Sequence, residues 1–236
     1  MQSALSYMDS VNDLSQLLLK KGITLVGFAD VSKGLAKEFR HIPKAISLAI
    51  SHPPNKIKPK FWSDFYQYQY EEVDRALEAV QKQIVNYCKM NGWKALAIPP
   101  DSFKTDSRFV ARLYPLFPHK TAATCAGLGW IGKNGLLVNK NYGPRLSWAT
   151  VLTDADLTVS DTPFLQGHCG NCRKCIDACP SGAIKDQEWA RGAHNVCHID
   201  IHACQRQLED NESKYGRAVC GLCILACPRG ALSRRG

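Results

Sequence analysis

Nine of the 11 cysteines in this chain of 236 residues lie between positions 169 and 227, seven of them in two echoing runs. The first, HCGNCRKCIDACP, spaces four thiols as C-x2-C-x2-C-x3-C and ends in Pro180; the second, CGLCILACP, carries three and ends in Pro228. The four-cysteine run is the pattern that holds cubane [4Fe–4S] clusters. Three closely spaced thiolates each cap one iron, and the fourth, a turn further on, ligates the other cluster. By that crossover rule Cys169, Cys172, Cys175 and Cys227 hold one cubane, while Cys179, Cys220 and Cys223 supply three ligands of the other. The eighth thiolate comes from Cys197 or Cys204. Cys204 is favoured, because it sits on the helix-like HACQRQLED and leads by a short loop to Cys220. Zinc is the competing metal, but zinc sites use cysteine pairs, and two runs ending in Cys-Pro exceed what zinc needs. Two cubanes with crossed ligands form a wire for single electrons.

Composition agrees with an intracellular metalloprotein. Hydrophobic residues make up 45% and charged residues 22%, ordinary for a folded domain. No apolar run approaches the ~20 residues of a membrane helix, and MQSALSYMDSVNDLS lacks the basic and apolar regions of a signal peptide. A cytoplasmic location without a membrane partner is expected, so the cysteines read as metal ligands and not disulfides. The net charge of +9 permits a polyanionic partner. No RNA-binding signature or aromatic–basic interleaving accompanies it, so nucleic acid is not among the expected partners.

The elements that must position these thiols follow from periodicity. Residues 10–21 form a helix with a Ser10/Asp13 capping box and a Leu14, Leu17, Leu18 face. Strands are predicted over 23–29, 45–50, 93–98 and 145–153. A long helix covers 70–91, with Val73, Leu77, Val80, Ile84 and Tyr87 at helical spacing and Glu71–Arg75 and Glu78–Lys82 pairs. Cys88 on it reads as a buried thiol. The aromatic segment FWSDFYQYQY (61–70) is a helix start or a cavity wall. AGLGWIGKNGLLV (126–138) matches G-x-G-x-x-G at Gly127, Gly129 and Gly132, but it follows a helix and precedes a strand, the wrong context for dinucleotide binding. Its glycines allow close approach to the backbone. The mixture argues an α+β fold, with a cofactor or substrate domain over 1–160 and the cluster module over 161–236.

LVGFADVSKGL, AGLGWIGKNGLL, YGPRLSWATVLTD, CGNCRKCIDACPSGAI and the Ile199-Asp200-x3-Cys204 spacing together resemble the epoxyqueuosine reductase family. Reductive dehalogenases are related to that family. The resemblance implies a nitroreductase-like α/β sandwich of the cobalamin-binding type, followed by a bacterial ferredoxin-like module with two clusters. It implies that Gly127, Gly129, Trp130, Gly132, Lys133 and Asn134, with the aromatic segment, line a cavity for cobalamin or another cofactor. It favours Cys204 as the eighth ligand. Electrons would enter from a donor such as ferredoxin or flavodoxin and reduce a small molecule or a corrinoid. Two departures place tRNA modification last among the expected activities. The tRNA-acting members continue into a helical-repeat domain, whereas this chain ends at Gly236. Their catalytic aspartate aligns with Leu113 or Tyr114, leaving Tyr114, His119 and Asp106, with Asp101, as candidate acids. The alternative activity is a cofactor-free dicluster carrier docking on a partner.

Overall fold

The computed structural model describes residues 11–52, 62–98, 117–193, 198–216 and 218–230. They fall into two compact units. One is drawn from Met1–His52, Tyr70–Leu128 and Ser147–Pro163, the other from Pro53–Gln69, Gly129–Leu146 and Phe164–Gly236.

The first unit is built on a four-stranded sheet of β1 (Leu25–Asp30), β2 (Lys44–Ser51), β3 (Ala95–Ile98) and β6 (Leu146–Thr153), ordered β1-β2-β6-β3. β1 pairs antiparallel with β2, Leu25 opposite Ala49, and β3 pairs antiparallel with β6, Ala95 opposite Thr153. Successive strand residues point to opposite faces, and both faces are covered. Phe28, Ile46, Leu48, Ala149 and Val151 pack with Leu14 and Leu18 of α1 (Val11–Lys20) and Leu77, Val80, Ile84 and Cys88 of α2 (Trp62–Met90). Their neighbours Ala29, Ala45 and Leu152 pack with Phe117, Ala122 and Ala126 at α3 (His119–Cys125). The sheet is therefore the middle of three layers, which explains why β2 is buried on both sides.

The predicted helices and strands are present, with one change of extent. α2 starts at Trp62, not Tyr70, so the aromatic segment is helical from its second residue; its side chains lie outside the described residues. So do Ser10 of the capping box and the Glu71 side chain of the Glu71–Arg75 pair. The Glu78–Lys82 pair is formed at 3.3 Å. α2 ends where Asn91 Nδ2 donates to the Tyr87 carbonyl at 2.8 Å and Gly92 turns left-handed. Gln81, which periodicity passes over as a polar interruption, is 1% exposed. Its Nε2 donates to the carbonyls of Ile98 and Thr150, at 2.5 and 2.8 Å, and so ties α2 to two strands. No helix among the described residues is long and apolar enough to cross a membrane.

The second unit holds a small hairpin of β4 (Trp130–Ile131) and β5 (Leu137–Val138), the cysteine loops, and α4 (Lys174–Asp177), α5 (Ile201–Tyr215) and α6 (Leu222–Leu225). The composition shift near 162 predicts a module starting there; the compact unit also takes in Gly129–Leu146.

Candidate metal centre

The loop from Cys169 is shaped by its own backbone. The Cys172 amide donates to the Cys169 carbonyl at 3.1 Å, α4 adds one turn, and the Cys179 amide donates to the Ile176 carbonyl at 3.0 Å. Pro180 cannot continue that turn. Cys169, Cys172, Cys175 and Cys227 line one cavity of about 460 Å³, together with Trp130, Lys133 and Arg229. Burial pushes the Cys175 thiol up to about 11, and negative charge on Cys169, Cys227 and Cys172 adds to the rise. Burial also raises Cys227, against the Arg229 amide and the Arg145 guanidinium, with Cys169 and Cys172 raising it further. Four thiols facing one another and partly buried resist ionisation unless positive charge sits among them. That donor set fits an iron–sulfur core, whose irons neutralise the thiolates.

Cys179, Cys204, Cys220 and Cys223 are the other group brought together. Cys223 is pushed up to about 12 by burial, then by Cys220, Cys175, Cys179 and Cys204. Cys204 is raised by burial, then by Cys179 and Cys220. Cys179 differs: burial raises it, but hydrogen bonds from Ser181 and from the amides of Ala183, Ile184 and Ser181 hold its thiol below the ordinary value. α4, which carries Cys175, packs against α6, which carries Cys223, so the two groups lie side by side. Cys197 lies outside the described residues. Among the described residues no three such side chains converge on a single metal ion. Thiolates around a cubane bind different irons and stand further apart.

Cys204 owes its place to Asp200. The Asp200 carboxylate caps α5, accepting from the Ala203 amide at 2.9 Å, and that bond is the first cause of its lowered pKa. The Asp200 carbonyl accepts from the Cys204 amide at 3.0 Å. The Asp200 amide in turn donates to the Ala183 carbonyl at 2.8 Å, fixing the start of α5 beside the segment that follows Cys179. At the other end Asn211 Nδ2 donates to the Val219 carbonyl at 2.8 Å, just before Cys220. The Ile199-Asp200 pair thus has a physical role, a helix cap one turn ahead of a thiol.

Two cations brace the first group. Lys133 Nζ donates to the Gly170 carbonyl at 2.5 Å and pairs with Asp186 Oδ1 at 2.7 Å; its side chain is 6% exposed. The Asp186 bond comes first among the causes that raise its pKa, ahead of burial, which opposes it, and of the Asp186, Glu188 and Cys169 charges. Asp186 also binds Arg173. Lys133→Met keeps the stem and removes these bonds. Because Asp186 is 41% exposed and retains Arg173, the expected loss is about 2 kcal/mol, read as a lower denaturant midpoint under anaerobic conditions. Arg145 spans further. Its guanidinium donates to the carbonyls of Arg229 at 2.7 Å, Cys227 at 3.0 Å and Leu225 at 3.2 Å.

The glycine loop is occupied by the chain itself. In the first unit a Cβ on Gly127 would lie 2.9 Å from the Thr162 carbonyl oxygen. In the second, a Cβ on Gly129 would lie 2.5 Å from the Val138 carbonyl oxygen, and one on Gly132 would press on Val138, Asn134 and, at 3.5 Å, Cys169 Sγ. Asn134 is buried and its Oδ1 accepts from the Leu136 amide at 3.2 Å. Trp130 packs against Phe164 and His168. Close approach to these glycines is real, but the approaching group is protein. Of the six residues expected at a cofactor cavity, Trp130, Lys133 and Asn134 line the cavity that the first four thiols share. His119 is buried in the first unit, Nδ1 2.9 Å from Thr150 Oγ1 on β6. Tyr114, Asp106 and Asp101 lie outside the described residues. Sequence reasoning missed Arg145 and the bracing role of Lys133, because their partners are mostly carbonyls or distant in the chain.

Residues 168–230 match the family model of a 4Fe-4S double cluster binding domain, so this part of the chain is a two-cluster iron–sulfur module. The wider likeness is to reductases that contain such a module. The chain is 38% identical over 146 residues to an epoxyqueuosine reductase of Synechocystis sp., a match covering 59% of this chain and 47% of that protein. It therefore spans about half the length of that relative. A crystal structure of epoxyqueuosine reductase with an epoxyqueuosine-modified tRNA-Tyr stem loop is similar with TM-score 0.56 and 17% identity, covering 93% of this chain and 65% of that one. A catabolic reductive dehalogenase, NpRdhA, in complex with 3-bromo-4-hydroxybenzoic acid, gives TM-score 0.64 and 19% identity, covering 92% and 31%. The mixed α/β fold is thus that of the epoxyqueuosine reductases and reductive dehalogenases, and the chain resembles the former in sequence.

Proposed function

We propose that this chain is an iron–sulfur oxidoreductase of the epoxyqueuosine reductase kind. Its first cluster is held by Cys169, Cys172, Cys175 and Cys227, its second by Cys179, Cys204, Cys220 and Cys223. The observation that carries the proposal is the gathering of eight thiols into two adjoining groups of four within a double-cluster module. When bound, the clusters supply one electron each. Reducing an epoxide to an alkene takes two electrons and two protons and releases the oxygen as water, a demand two one-electron centres can meet. The chain's own residues set the thiols in place: Asp200 and α5 for Cys204, Arg145 for Cys227, Lys133 for the loop after Cys169.

The substrate order expected from the sequence is revised. A tRNA-borne epoxide now ranks ahead of a small molecule or a corrinoid, because the curated relative carries the name epoxyqueuosine reductase and a solved one was crystallised with a modified tRNA stem loop. A basic chain suits such a partner. The expected donor is a ferredoxin or flavodoxin, in the cytoplasm. A corrinoid relay is what the resemblance implies, and no electron step is routed through it. The match to a double-cluster domain is also met by a second reading, a dicluster carrier without a further cofactor.

Anaerobic purification with metal analysis, followed by turnover with chemically reduced protein and an epoxyqueuosine-bearing stem loop, separates these. About eight irons per chain are expected, with loss of one oxygen from the nucleoside by mass spectrometry. Cobalt retained after adding cobalamin would establish the relay. Eight irons without conversion, with and without cobalamin, would leave the carrier reading.

A further inference from the structure

In the cysteine-bearing unit one buried side-chain donor, among the described residues, finds no protein acceptor: the indole N–H of Trp130. The residue is 3% exposed, and leaving such a donor unsatisfied is costly. Its ring lines the cavity that Cys169, Cys172, Cys175 and Cys227 line. The ring is held from several sides. Phe164 lies 5.7 Å away between centroids, His168 5.4 Å away, and the Arg229 guanidinium is 5.7 Å from the ring centre. Phe164 and His168 also meet edge to face at 5.3 Å. Trp130 begins β4, whose Val138 pairing and neighbouring Gly132, close to Cys169 Sγ, leave it little freedom to turn.

We propose that Trp130 is a positioning residue for the first cluster, donating its indole N–H to a sulfur of that centre. The inference rests on the reading of Cys169, Cys172, Cys175 and Cys227 as cluster ligands. The acceptors such a cavity offers when loaded are thiolate and sulfide sulfurs. A donor on sulfur offsets the extra negative charge of the reduced cluster and so raises its reduction potential. The donor acts on one cluster, which makes the two centres unequal.

Trp130→Phe keeps an aromatic ring against Phe164 and His168 and removes the N–H. Potentials are read by EPR-monitored redox titration of the full chain after anaerobic cluster reconstitution. With about eight irons retained, one of the two midpoint potentials is expected to become more negative while the other stays. Eight irons with both midpoints unchanged overturn the inference. If the variant holds fewer irons, the wild-type protein decides. Grown with 15N-indole tryptophan and reduced, it should show a 15N hyperfine coupling and an exchangeable proton on a cluster; their absence overturns the inference. A wild-type protein that cannot take up about eight irons sinks the cluster reading and the inference with it, a failure told apart by iron count alone.

Discussion

Cys204→Ala should reduce the iron content from about eight per chain toward about four, with any remnant of the second centre appearing as a three-iron species, while Cys197→Ala keeps about eight. The expectation follows from geometry. Cys204 lies in the first turn of α5, capped by Asp200, and the neighbouring charges that act on its thiol are those of Cys179 and Cys220. Iron and sulfide analysis with EPR of the reduced protein checks both variants. The reverse pattern, with Cys197→Ala losing the centre, would overturn the ligand assignment.

The second large effect lies at a residue that binds nothing. Gly143 turns left-handed at φ 61°, and a Cβ there would run directly into the carbonyl of Arg229. Gly230, at φ 77°, meets Tyr142 just as closely from the other side. The two turns fit only because both lack side chains. Gly143→Ala forces the Arg229 carbonyl away and with it the Arg145 bonds to Leu225, Cys227 and Arg229. The expected cost is about 3 kcal/mol or more, combining backbone strain with the clash, together with loss of the first cluster. Gly192→Ala is the control. Its φ is 78° and a Cβ would meet nothing within 4 Å, so it should cost only about 1–2 kcal/mol of strain and keep both clusters. Equal losses in the two variants would refute the clamp.

The cysteine runs were legible because cluster ligation imposes a short-range spacing that few other structures require. The sheet and its helices were legible from periodicity, which reports burial directly. α2 was underestimated at its start because the aromatic segment carries few helix-specific signals, and residues of that kind suit a helix or a cavity wall equally. The glycine loop was readable as a place of close approach and unreadable as to what approaches. Gly129 answers to the Val138 carbonyl and Gly132 to Val138, Asn134 and Cys169, none of which a local motif can identify. Arg145 was invisible for a different reason. A basic residue at the edge of a strand looks like solvated surface, and its acceptors are backbone carbonyls 80 to 84 residues away. The composition shift marked where the cysteines begin, not where their unit begins.

That unit draws on Gly129–Leu146 as well as on the cysteine loops, and this bears on inheritance. A segment cut at 161 would carry all eight candidate thiols yet leave behind Lys133, Gly143 and Arg145, the residues that keep the Gly170 carbonyl and the Cys227 turn in place. The iron–sulfur part is therefore not a cassette that could be moved whole to another protein. Its housing is written in separated stretches of the chain, so the stretch around 133–145, which contains no cysteine, supports the centre as the ligand loops do.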